Sequence, residues 1–243
     1  MFHLPISAVI EQSPSWAGYR RTMRHFLQTQ VLVQASLAAL ATAAAGYPRL
    51  SLWSTRAAPV WYLEAVLFVC SIILWGFVFA WHTRYSDRPV FVSKLEIRAV
   101  VAATFTALIM GLFYYLWLDP VLRLKWPSQY PADPTHWLAL TLFSLAFNQL
   151  CLTFAPYAWL MRLFKRRRVA TTLTVLFGVG LLGLKIQSLT TPVPFLTLAA
   201  LLAGRLVIGL LAVTFFLRGG VMLAWWWTLV FEARLLLGPV SQP

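Results

Sequence analysis

Five ionisable side chains sit inside otherwise apolar runs of this chain: Glu64, Lys185, Arg205, Glu232 and Arg234. At the centre of a bilayer each such charge costs roughly 3 kcal/mol on insertion scales unless it is paired or hydrated. Arg205 is the least avoidable, because it interrupts "FLTLAALLAGRLVIGLLAVTFFL" near its middle. It is expected to face the bundle interior or a neighbouring subunit and to find a carboxylate, Glu232 first and Glu64 second. Such a pair would fix helix register; the functional alternative is a substrate or proton site. A second polar feature is the amide pair Asn148–Gln149 in "FNQLCLTFAPYAWLMRLFKRRR", an apolar run that ends in four cations. Amides donate and accept hydrogen bonds but cannot serve as a general base near neutral pH. The histidines, His3, His25, His82 and His136, are not at helical ligand spacing, so no metal centre is expected. No Gly-rich phosphate loop, Gly-x-Ser-x-Gly elbow or His-Glu-x-x-His occurs, and no cofactor is called for.

The elements that must position these groups are membrane helices. The chain has 243 residues, of which 60% are hydrophobic and 11% charged, against about 45–50% and about 25% in soluble domains. At about 20 residues per crossing, seven spans are expected, near residues 29–47, 59–81, 97–118, 137–163, 169–188, 194–217 and 220–238. The fold class is therefore all-α, a polytopic transmembrane bundle with a segment 1–28 before it and a tail 239–243 after it. The first span is Ala-rich and the weakest. No cleavable signal pattern precedes it, so it is expected to act as an uncleaved signal.

Charge sets the orientation. With the N-terminus in the cytoplasm, Arg20, Arg21, Arg24, Arg84, Arg88, Lys94, Arg98, Arg162, Lys165, Arg166, Arg167, Arg168 and Arg218 fall inside. Arg49, Arg56, Arg123, Lys125 and Lys185 fall outside, thirteen cations against five. The net charge of +13 then reflects topology and anionic lipid rather than nucleic acid. Cys70 and Cys151 lie in apolar runs and are expected to be buried packing residues, not a disulfide. Four prolines in "DPVLRLKWPSQYPADPTHW" argue against a regular helix between the third and fourth spans and for an ordered outer loop. Gly178, Gly183, Ala199, Ala203, Gly204 and Gly209 predict close packing among the last three helices.

From Phe147 onward the order of features resembles the CAAX protease and bacteriocin-processing family, the glutamate-type intramembrane proteases. That family carries Glu-Glu-x-x-x-Arg in one helix, then a basic stretch, then Leu-Phe-Gly-x-x-His, then a Gly-containing turn into a last helix with His-x-x-x-Asn. Here "FNQLCLT" puts Asn148 and Gln149 in the place of the paired glutamates and Thr153 in the place of the arginine. "LFGVGLLGL" matches through Leu176, Phe177 and Gly178 but has Leu181 where the histidine belongs. The expected last histidine falls near Thr228 or Leu229 and the asparagine near Ala233. The resemblance covers about residues 140–238 and implies an inactivated relative, in a bacterial inner membrane, that keeps the scaffold and has lost the groups that activate water.

The function expected on these grounds is a non-catalytic multi-pass subunit or scaffold, in contact with the lipid bilayer and another membrane protein. Trp225, Trp226, Trp227, Trp126 and Tyr130 are the candidate partner surface; headgroup anchoring is the alternative role for the tryptophans. An active endopeptidase using Glu64 or Glu232 as base, and a small transporter using Arg205 as an anion site, are the alternatives.

Overall fold

The computed structural model describes residues 28–56, 58–86, 88–92, 94–187 and 194–238. The expected N-terminal cytoplasmic segment, with Arg20, Arg21 and Arg24, and the tail from 239 lie outside the described residues. Among the described residues helices dominate, and six are long and apolar enough to cross a membrane. They are α1 (Thr29–Trp53), α2 (Val60–Ser86), α3 (Ile97–Lys125), α4 (Pro134–Phe164), α5 (Arg167–Gln187) and α6 (Phe195–Leu236).

The Ala-rich first span is a full helix, and its composition explains how it packs. Ala35, Ala39, Ala43 and Gly46 repeat at three- and four-residue spacing and form a buried stripe, and small residues let helix backbones approach closely in a bilayer. A Cβ on Gly46 would run into the Leu67 side chain of α2. One hydrogen bond pins the two helices: the Trp75 indole N–H donates to the Thr42 hydroxyl at 3.0 Å, while Thr42 itself donates to the Ala38 carbonyl.

α6 is not straight. Gly219 and Gly220 leave helical geometry, and Gly220 has φ +64° and ψ −160°, a region that side-chain-bearing residues avoid. The arms 195–218 and 221–236 fold back on one another. In a straight helix thirty residues span about 45 Å, yet residues 204 and 234 both meet Tyr114. A Cβ at Gly204 would lie 2.7 Å from the Tyr114 hydroxyl, and the Arg234 guanidinium lies 5.3 Å from the Tyr114 ring centre. At the other end of α3, Leu95 packs on Gly219. The turn is latched by the segment between α2 and α3, where the Val221 N–H donates to the Val90 carbonyl at 2.9 Å.

Two large apolar clusters and a smaller one at Val31, Ala80 and Trp81 hold the described bundle. Trp75, Phe154, Tyr157, Phe216 and Val221 belong to one large cluster, and Tyr114, Leu118, Leu223, Trp227 and Phe231 to the other. The small residues of the last helices divide their contacts. Gly178 approaches Arg205 and Gly209 approaches Val175, which joins α5 to the first arm of α6; Gly204 instead seats Tyr114 of α3, and Gly183 faces open space. Ala203 is exposed.

Three expectations are corrected. Cys70 is exposed on α2 and Cys151 is half-buried, because Cys70 falls on the outward side of its helix. The segment after the third span is not wholly a loop: Asp119–Lys125 continues α3 as a helix, and Pro127–Gln129 makes a 3₁₀ turn. Pro120 is tolerated because it directly follows the π-helical turn Tyr114–Leu118, in which the Asp119 N–H reaches back to the Tyr114 carbonyl. Trp227, 1% exposed, and half-buried Trp225 are not a surface. Three consecutive helical residues point some 100° apart, and this helix arm runs through the middle of the bundle; only Trp226 faces outward, donating its N–H to Thr104 at 2.9 Å.

Candidate functional site

A cavity of about 500 Å³ opens among α3, α4, α5 and the two arms of α6, with the end of α1 at its edge. α5 contributes one helical stripe, Thr174, Gly178, Leu181, Leu182 and Lys185, and the first α6 arm another, Leu201, Arg205, Ile208, Gly209 and Ala212. The second arm adds Trp227, Thr228, Phe231, Glu232 and Arg234.

α4 is wound loosely where it meets this space. Ser144–Asn148 and Leu150–Phe154 are π-helical turns, in which the Gln149 and Ala155 N–H groups reach back five residues to Ser144 and Leu150. Pro156 follows directly, has no N–H to donate, and crowds the carbonyl four residues earlier. Wide turns of this kind are frequent at functional sites. Here they bring Ser144, Asn148, Gln149 and Thr153 to the cavity wall.

Asn148, Gln149 and Thr153 of α4 and Leu181 of α5 thus line one space. The Gln149 side-chain amide donates to the Thr228 hydroxyl at 2.8 Å, and Thr228 donates to the Ala224 carbonyl at 2.9 Å. The Gln149 carbonyl oxygen is buried and accepts no hydrogen bond from the described residues. None of these groups can take up a proton near neutral pH.

The charged groups are arranged differently from expectation. Arg205 does not pair with Glu232 or Glu64. Its Nε donates weakly to the Gly178 carbonyl at 3.4 Å, and the missing side chain of Gly178 makes room for the guanidinium. Glu232 is taken by Arg234 at 3.4 Å, and Arg234 also holds Asp119 at 3.2 Å. The physical reason is local: the chain tightens into a 3₁₀ turn at Ala233–Leu236, which leaves Arg234 close to Glu232 and reaching across to α3. Glu64 lines no part of the cavity.

Asp119 was not singled out in the sequence, because an acid ahead of a proline looks like loop; it is in fact 1% exposed. It also accepts a hydrogen bond from the Tyr130 hydroxyl at 2.9 Å. Burial, and then the adjacent Asp119 carboxylate, push the Tyr130 phenol well above its usual range. Tyr130 and Trp126, both half-buried, line the cavity. Arg123 lies 4.9 Å over the Tyr130 ring, and the Lys185 ammonium 4.9 Å over Trp126, both in range for a cation–π contact. Arg49, 5% exposed, closes one edge with a 2.9 Å hydrogen bond to His136 Nε2. His82 lies at the opposite end of the bundle, buried against Phe216.

Comparison of the chain with family models, with curated proteins and with solved structures finds no match.

Proposed function

We propose that the chain is a non-catalytic, multi-pass subunit of a bacterial inner membrane that holds another membrane component, on a scaffold resembling an inactivated glutamate-type intramembrane protease. The observation that supports this most is the Gln149–Thr228 hydrogen bond. It joins two of the places where the resemblance expects a glutamate and a histidine, inside one cavity, with residues that can bind but cannot activate water. Both carboxylates of the cavity are engaged by Arg234, which leaves neither as a ready base.

The fold-back of α6 supports seven crossings, and the cation count supports a cytoplasmic N-terminus. Arg84, Arg88, Lys94, Arg98, Arg162, the run Lys165–Arg168 and Arg218 gather at the end where α2, α4 and the α6 turn meet.

The test is purification from the native membrane in a mild detergent, followed by mass spectrometry of what co-migrates. A stoichiometric membrane partner is expected. A lone chain that cleaves a membrane-embedded peptide, and loses cleavage in Glu232→Gln, would overturn the proposal.

A further inference from the structure

Arg205 stands near the middle of the first α6 arm and lines the cavity. Both carboxylates of that cavity, Asp119 and Glu232, are held by Arg234, and Arg205 makes no ion pair among the described residues. Its hydrogen bond to the Gly178 carbonyl is long, at 3.4 Å, and uses Nε, which leaves both terminal amino groups of the guanidinium for something else. A Cβ on Gly178 would lie 3.2 Å from one of those groups, so the missing side chain gives the fork its room. Tyr114 lines the same cavity, and its hydroxyl reaches the backbone of Gly204, the residue before Arg205. A phenol can donate a hydrogen bond beside the fork. The surroundings are apolar. Leu201 and Ile208 stand one turn to either side of Arg205, and Leu182 one turn after Gly178; all three line the cavity. Its volume of about 500 Å³ is that of a small-molecule pocket.

We propose that this cavity binds a long-chain aliphatic acid as its anion, with the carboxylate on Arg205 and the chain along Leu182, Leu201 and Ile208. A guanidinium at membrane depth is unfavourable unless an anion or water compensates it. The fork offers two parallel N–H groups, which match the two oxygens of a planar carboxylate. One guanidinium without an acid takes one negative charge, and the Tyr114 hydroxyl is the second donor to it. The inference goes beyond the partner reading, since a small ligand can fill this space whether or not a second protein binds.

The experiment uses the full chain in a neutral maltoside detergent at mildly alkaline pH, titrated with dodecanoate, its uncharged methyl ester, dodecyl phosphate or acetate. Binding is followed by native mass spectrometry and by the rise in melting temperature that ligand linkage requires. Saturable one-to-one binding of dodecanoate is expected, with the methyl ester at least tenfold weaker. Arg205→Gln should raise the apparent Kd for dodecanoate at least tenfold. Arg56→Gln, an exposed cation outside the cavity, should bind like wild type. If Arg205→Gln does not elute as a single folded species, photolabelling of the wild-type chain with a diazirine-bearing fatty acid takes its place. Label is then expected on α5 and the first α6 arm, and excess dodecanoate should remove it. Methyl ester or dodecyl phosphate bound as tightly as dodecanoate, acetate competing at equal concentration, or no saturable dodecanoate binding would overturn the proposal. So would wild-type affinity in folded Arg205→Gln, or label that excess dodecanoate does not displace. Because no partner protein is present, these outcomes do not depend on the result of co-purification.

Discussion

The amide of Gln149 and the hydroxyl of Thr228 meet at 2.8 Å across the interface between α4 and the last arm of α6. Interhelical hydrogen bonds in membrane bundles are worth about 1 kcal/mol. Gln149→Leu should therefore lower stability by about that amount, and Thr228→Val by a similar amount. The double variant should cost less than the sum, because both changes remove the same bond. Melting of the four proteins in detergent, followed by size exclusion, measures the coupling. Strict additivity would mean that the bond contributes nothing.

The Arg234–Asp119 pair should matter more. Asp119 is 1% exposed and its partner bridges from α6 to α3. Removing one member of a buried pair costs roughly 3–5 kcal/mol, because the other charge is left without compensation. Arg234→Met should be strongly destabilising. Asp119→Asn should be milder, since the amide oxygen can still accept from Tyr130. Thermal melting that ranks the two variants in the opposite order would contradict this account.

Gly220 should tolerate no side chain. Its φ is +64°, and a Cβ there would collide with the Val90 carbonyl. Gly220→Ala is expected to cost at least about 2 kcal/mol from backbone strain and lost close approach. Gly180→Ala, where a Cβ meets open space, is the control and should be neutral. Expression level and melting temperature of the pair provide the comparison.

His82 presents the reverse case. Its ring is fully buried, 4.4 Å from the Phe216 ring centre, and neither nitrogen has a protein hydrogen-bond partner among the described residues. Replacing an unpaired buried polar group by an apolar one of similar shape is neutral or stabilising. His82→Phe should therefore melt at or above the wild-type temperature, whereas His82→Ala should lose about 2–4 kcal/mol through the cavity it leaves. A marked loss of stability in His82→Phe would reveal a polar role for the ring.

The helices were readable because length and hydropathy alone decide whether a segment can cross a bilayer. Even the Ala-rich first span is a helix throughout Thr29–Trp53; its low hydropathy follows from a face made for contact with α2. The relations between helices were less readable. Arg205 was expected to seek an acid, but Arg234 lies nearer to Glu232 along the chain and takes it. Trp227 directly follows the exposed Trp226, yet its side points to the core. Asp119 gave no signal because its ion-pair partner, Arg234, lies 115 residues away on α6. The meeting of Asn148, Gln149 and Thr153 on α4 with Leu181 on α5 and Thr228 on α6 at one cavity is a property of the bundle that no single stretch displays.

The hairpin of α6 also bears on biosynthesis. Both of its arms are walls of the cavity, and they follow α1 to α5 along the chain. The space does not exist in the nascent chain until the two arms have entered the bilayer together and the turn has docked on Val90. Until the first arm settles on α5, Arg205 is an intramembrane charge without the Gly178 carbonyl it later contacts. During that interval the charge is carried at membrane depth at a cost of roughly 3 kcal/mol.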